Sequence, residues 1–134
     1  MANIEKINND LTEFIELLHN KDNITPFVED IFLLSVHVAG LYFIENIEAI
    51  FPKIEKGSEL ELIREKNNKY DKFAILVKFD GEKIGYVPRK ENKILANLMD
   101  GGKQLYGIVE SASKETVYID DENYFVKFKI FLKE

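Results

Sequence analysis

Five consecutive residues, Asn67-Asn68-Lys69-Tyr70-Asp71, put two amides, an ammonium, a phenol and a carboxylate into one short polar stretch. Such groups exchange hydrogen bonds with a polar ligand, and the ring adds a flat apolar face for stacking. On a rigid hairpin this loop suits recognition, because the scaffold fixes the direction of otherwise mobile groups. Asn and Asp also shape turns by bonding nearby backbone, so each amide carries that second reading. Arg64 precedes the stretch, and Arg89, Lys90 and Lys93 follow it. All four cations suit phosphate; the competing roles are a salt bridge for Arg64 and a solvated helix entrance for the others.

Catalytic chemistry has little to work with. Ser35 and His37 fall on one face of a proposed strand, without an acidic residue nearby to orient the imidazole. His19 is the second of two isolated histidines, which do not make a metal site. Asp120-Asp121-Glu122 lacks the oxygen-donor spacing and the glycine of an EF-hand loop and reads as a surface turn. No phosphate-cradling glycine loop ending in Lys-Ser/Thr is present, and there is no cysteine. The expectation is a non-enzymatic protein with no metal and no cofactor.

The elements that must position these groups are mostly strands. Phe73 to Phe79 and Lys83 to Val87 flank Asp80-Gly81, a compact hairpin signal, with Ile75 and Val77 among the residues turned to the core. Ile31 to Ala39 reads as the first principal strand, with Phe32, Leu34, Val36 and Val38 on one face. Gly40 permits a sharp bend, after which Tyr42 and Phe43 either close the core or form a base-stacking platform. Ile47, Ile50 and Phe51 suggest a short irregular or helical piece. Lys56-Gly57 turns the chain into a strand over Glu59 to Ile63, with Leu60 and Leu62 inward. Asn92 is placed as the cap of a helix over Glu91 to Asp100, whose apolar stripe is Ile94, Leu95, Leu98 and Met99 and whose stop is Gly101-Gly102. Gln104 to Glu110 is strand-like, and Thr116 to Ile119 with Tyr124 to Leu132 forms a terminal hairpin. Near the amino end, Asp10 caps a helix from Leu11 to about His19 that covers part of a sheet.

A chain of 134 residues, 46% hydrophobic and 12% aromatic, suits one compact domain. The pattern predicts a mainly β protein with accessory helices, a small open or closed β-barrel. The formal charge of -6 argues against a long polyanion footprint, yet residues 64–109 hold ten Lys/Arg and six Asp/Glu, a local +4. A local positive field guides a short nucleic-acid segment even on an acidic protein. With no signal-like or membrane-length apolar run, the expectation is a cytoplasmic protein away from the membrane.

These residues also carry a family resemblance. Val36-His37-Val38-Ala39-Gly40, Leu60 to Glu65, Asn68-Lys69-Tyr70-Asp71-Lys72-Phe73 to Val77, Ile84-Gly85-Tyr86-Val87-Pro88-Arg89, Asn92 to Ala96 and Gly102 to Tyr106 occur in the order and spacing of the HIRAN domain family. The chain resembles a freestanding bacterial or phage-like form. The resemblance divides it into an amino-terminal helical extension (1–30), a HIRAN-like core (31–110) and a carboxyl-terminal hairpin (111–134) extending the same domain. It implies an OB-like β-barrel and a module that recognises the free three-prime hydroxyl end of single-stranded DNA, in DNA repair or processing, with a repair or helicase protein as a possible partner. Carried over residue by residue, Tyr70 packs on a terminal nucleotide, Asp71 accepts a bond from its free sugar hydroxyl, and Tyr42 or Phe43 supplies an earlier stacking ring. Tyr86 faces a nucleotide and Arg89 a phosphate; Asn68 shapes the loop or donates to DNA, with Arg64 and Lys90 in support. Leu41 beside the aromatics, in place of a polar residue, leaves less recognition chemistry there. The alternative is a protein-interaction module on a divergent HIRAN-like barrel.

Overall fold

The carboxyl-terminal strand alternates strictly, and that alternation anchors the sheet. In a computed structural model describing residues 29–118 and 121–134, Val126, Phe128, Ile130 and Leu132 of β6 (Asp121–Leu132) are buried. Their odd-numbered neighbours lie on the opposite face, as the two-residue period of a strand requires. The expected helix after Asp10, His19 and Asp120 lie outside the described residues.

β6 pairs on one side with β1 (Ile31–His37) and on the other with β5 (Leu105–Tyr118). β2 (Glu59–Arg64), β3 (Ile75–Phe79) and β4 (Glu82–Tyr86) complete a six-stranded antiparallel sheet of order β1-β6-β5-β2-β3-β4. Two short helices, α1 (Ile47–Ile50) and α2 (Arg89–Asp100), accompany it, with 3-10 turns at Leu41–Phe43 and Phe51–Lys53. The β3–β4 turn is the two-residue Asp80-Gly81, both at positive φ (48° and 80°), which matches strand twist and explains the choice of residues. The core joins Phe128, Leu60, Ile75, Val77, Ile84, Ile130 and Leu95 of α2. Gly107 makes room for the Phe128 ring, since a Cβ there would lie 2.7 Å from it.

The expected OB-like β-barrel is not formed. β1 and β4 stand at opposite ends of the strand order, and no ladder joins them. The domain is mixed α/β, dominated by an open antiparallel sheet. A single bridge, Ala39 to Tyr86, links the segment after β1 to β4. Closure stops there because Gly40 turns the chain aside at φ 84° and Pro88, which has no N–H to donate, ends the β4 segment before α2.

Three smaller expectations also change. A bulge between Phe32 and Leu34 shifts the β1 register, so Leu34 and Val36 oppose inward Ile130 and Phe128 while Phe32 opposes Phe131 on the outer face. Asn92 is not a cap: α2 begins at Arg89, and its buried residues are Asn92, Leu95 and Ala96, with Ile94 exposed. In place of two separate strands at Gln104 to Glu110 and from Thr116, one long strand, β5, runs from Leu105 to Tyr118, where pairing with β6 carries the polar Ser111–Glu115 stretch. No helix among the described residues is long and apolar enough to cross a membrane.

Candidate functional site

The loop between β2 and β3 is built by its own side chains. Asn68 Oδ1 accepts from the backbone N–H of Tyr70 (2.9 Å) and of Asp71 (3.0 Å), and its Nδ2 donates to Glu65 (3.1 Å). The turn-shaping role of this amide is therefore filled, and the Tyr70 ring is held out into solvent, 86% exposed. Asp71 continues the loop with Oδ1 accepting from Phe73 N–H at 2.9 Å. Its Oδ2 accepts from Asn92 Nδ2 at 2.7 Å, with Arg89 Nε at 3.7 Å. Arg89 also reaches the Tyr70 carbonyl at 3.3 Å. The first turn of α2 thus supplies both side chains that face Asp71 Oδ2, while the Phe73 N–H holds Oδ1.

Arg64 takes the structural role. Its guanidinium pairs with Asp100 at 3.0 and 3.3 Å and donates to the carbonyls of Ala74 (3.1 Å) and Lys72 (2.6 Å). With all three nitrogens directed at protein oxygens and the side chain only 12% exposed, it fastens the loop to the end of α2.

The opposite wall comes from the single bridge. Ala39 and Tyr86 exchange backbone hydrogen bonds of 2.8 and 2.9 Å, and the chains approach closely enough that a Cβ on Gly85 would lie 2.3 Å from the Ala39 carbonyl oxygen. Beyond it, Gly40 turns the chain so that Leu41 is buried and Phe43 is 83% exposed. Lys83 lies over the Tyr86 ring at 4.7 Å and donates to its hydroxyl at 3.1 Å.

One groove of about 1100 Å³ runs between these walls, lined by Phe43, Asn68, Tyr70, Asp71, Lys83, Tyr86 and Arg89 over a floor of Ala39, Gly40, Ala74 and Val87. Tyr70 and Tyr86 also line a smaller recess beside Arg64, so these rings stand between two depressions. Of the residues singled out in the sequence, Phe43, Asn68, Tyr70, Asp71, Tyr86 and Arg89 meet here. Tyr42 lines a neighbouring recess, and Lys90 is exposed in α2 without lining the groove. Sequence reasoning passed over Lys83, two residues after the hairpin glycine and spaced three residues from Tyr86, and mistook Asn92, which is 2% exposed, for a cap. The second signal was there: a polar residue inside an amphipathic helix, on its buried side, needs a polar partner. Ser35 and His37 sit on β1, and no group of three His, Asp or Glu able to hold a metal occurs among the described residues.

Exposed rings and opposite charges converging on an open groove define a binding module. The family model of the HIRAN domain matches residues 31–134, and the chain belongs to that family. HIRAN domains are non-catalytic binding modules, so this chain has a HIRAN-type role in nucleic-acid or protein interaction. A crystal structure of a protein from Lactobacillus plantarum is similar at 30% identity and TM-score 0.60, over 77% of this chain and 97% of that one. The crystal structure of the HIRAN domain of human HLTF shares the fold at 24% identity and TM-score 0.51, over 78% of this chain and 81% of that one. No curated protein matches.

Proposed function

We propose that the groove binds the end of a single-stranded DNA and reads its free three-prime hydroxyl at Asp71. The observation that carries this reading is the convergence of three rings, Phe43, Tyr70 and Tyr86, with the Asp71 carboxylate and the cations Lys83 and Arg89 in one groove. The exposed rings stack on the last bases, a contribution of about 1–3 kcal/mol per base that is indifferent to sequence. Lys83 and Arg89 neutralise phosphodiesters flanking the terminal sugar. Asp71 is an acceptor only: it accepts a hydrogen bond donated by a sugar hydroxyl and repels a terminal phosphate. Asn68 and Arg64 hold the loop that aims it, and Lys90 adds to the field at the rim.

A hydrogen bond to a charged acceptor contributes about 1.5–3 kcal/mol, or about ten- to hundredfold in affinity. Fluorescence-anisotropy titration of short single strands ending in a hydroxyl or in a phosphate, at fixed salt, measures it. The hydroxyl end is expected to bind at least about tenfold tighter, with the preference abolished in folded Asp71→Asn. Equal affinity for the two ends in the native protein would remove the end-reading role. A protein partner is the competing occupant, favoured by Ile31 and Phe32, exposed on edge strand β1 outside the groove. An interaction that persists in Tyr70→Ala and is lost in Phe32→Ser would assign the function to that surface.

A further inference from the structure

Asp71 has more accepting capacity than the protein uses. An ionised carboxylate offers about four lone-pair sites, two on each oxygen. The Phe73 N–H fills one on Oδ1 at 2.9 Å and Asn92 Nδ2 fills one on Oδ2 at 2.7 Å. Arg89 Nε, 3.7 Å from Oδ2, is beyond hydrogen-bond length, and no other donor among the described residues bonds to either oxygen. One site therefore stays open on each oxygen, side by side. We propose that this pair reads a cis-diol, so that the groove holds a strand whose last nucleotide is a ribonucleotide more tightly than one ending in deoxyribose. The inference rests on the end-binding reading for the placement of the terminal sugar.

A single hydroxyl satisfies half of what is open. The Asp71 side chain is only 19% exposed, so a sugar seated on it shuts out water, and an acceptor covered without a partner loses its hydration for nothing in return. The 2′ and 3′ hydroxyls of ribose stand on adjacent carbons and on one face of the ring, placed to donate together to the two oxygens of one carboxylate. An acidic residue recognises ribose through its 2′ hydroxyl in the same manner in dinucleotide-binding folds. Deoxyribose lacks that second donor. Each hydroxyl oxygen also accepts, and Arg89 stands beside Oδ2 to supply a donor. Its Nη2 bonds to the Tyr70 carbonyl at 3.3 Å, while Nη1 has no acceptor among the described residues. Asp71 is the one carboxylate among the described residues that line the groove. Both hydroxyls of a terminal ribose therefore converge on it instead of being shared between two acids.

The test titrates roughly six-nucleotide oligothymidylates by fluorescence anisotropy, identical except for the last sugar. That sugar is ribose, 2′-deoxyribose, 2′,3′-dideoxyribose or 2′-O-methylribose, the last keeping the 2′ oxygen without its proton. Native protein and Asp71→Asn are used, with thermal melts establishing that each is folded. The ribose end is expected to bind about tenfold tighter than the deoxyribose end, and the deoxyribose end tighter than the dideoxyribose end. The 2′-O-methyl end is expected to bind no tighter than deoxyribose, and Asp71→Asn to lose the ribose gain, because half of its head group donates. Ribose and deoxyribose ends bound equally, with dideoxyribose weaker, overturn the diol and leave end reading intact. A ribose gain that survives 2′-O-methylation or Asp71→Asn also overturns it, since the gain then comes from sugar shape. A gain seen only when both hydroxyls are present, with deoxyribose and dideoxyribose equal, upholds the diol and removes the reading of a lone three-prime hydroxyl. Equal binding of every end, or no binding, overturns both.

Discussion

Asp71 has little freedom of direction, and its tether is the part of the site most open to test. One carboxylate oxygen is held by the Phe73 N–H and the other by Asn92, a buried amide that reaches across from α2. Asn92→Leu, close in shape but without the donor, is expected to cost about 1.5–3 kcal/mol of stability, the range for a hydrogen bond to a charged group. It should also reduce the hydroxyl-end preference several-fold, because Asp71 is then free to turn toward Arg89. Chemical denaturation and the end-preference titration measure the two effects. Tyr70, Asp71 and the turn-forming Asn68 were legible as residues because polar turn types have local consequences. The partnership of Asp71 with Asn92 was not, since 21 positions separate them and only the docking of α2 on the loop brings them together.

Among the elements, the hairpin at Asp80-Gly81 could be read directly, because positive φ at both central positions demands those residue types. The β1 bulge could not. An alternating sequence specifies one register only while the strand is regular, and a single extra residue moves Phe32 to the other face. The helix was found, but its start was set about two residues late, and the apolar side chain of Ile94 was assigned to the buried face that Asn92, Leu95 and Ala96 occupy. The joint between β4 and the segment after β1 rests on a glycine whose importance appears only in three dimensions. A side chain at Gly85 would meet the Ala39 carbonyl and the Val38 side chain, so Gly85→Ala is expected to break the Ala39–Tyr86 bridge. Overpacking of this kind costs about 1–3 kcal/mol. The same change separates Phe43 from Tyr86, so a melt and a DNA titration should both report loss. Unchanged binding in a destabilised variant would show that the bridge does not set the groove's width.

At the scale of the molecule, charge sets two expectations. An acidic protein with a small positive groove has few phosphate contacts, so the logarithm of affinity should fall with the logarithm of salt at a slope of about -1.4 for about two phosphates. A much steeper slope would indicate a longer electrostatic track. The second expectation concerns one end of the sheet, where Tyr106 on β5 donates to Asp30 just before β1, and Asp30 also accepts from the Glu134 N–H. Donation to Asp30 raises the Tyr106 pKa to about 12, and the same bond lowers the Asp30 pKa. A raised tyrosine pKa contributes stability that is fully present below the ordinary value of 10.0 and lost as pH climbs to about 12. A lowered aspartate pKa contributes stability above the ordinary 3.8 that is lost as pH falls through the folded value. The stability difference between native protein and Tyr106→Phe should therefore be constant near neutrality and shrink at both extremes, as denaturation across pH would show. A difference independent of pH would mean that the pair contributes nothing through its charge.

By itself the sequence determined the strand-rich composition, the two-residue hairpin, the polar loop and the local excess of positive charge. Each follows from residue type and short-range spacing. Tertiary structure alone decided that the sheet stays open, that Arg64 serves the scaffold, that Lys83 and Phe43 face the groove while Tyr42 faces its neighbour, and that Asn92 aims Asp71. Those outcomes depend on which edge meets which. A glycine bend, a proline without a donor and a one-residue bulge settle that question through long-range packing, which periodicity does not record.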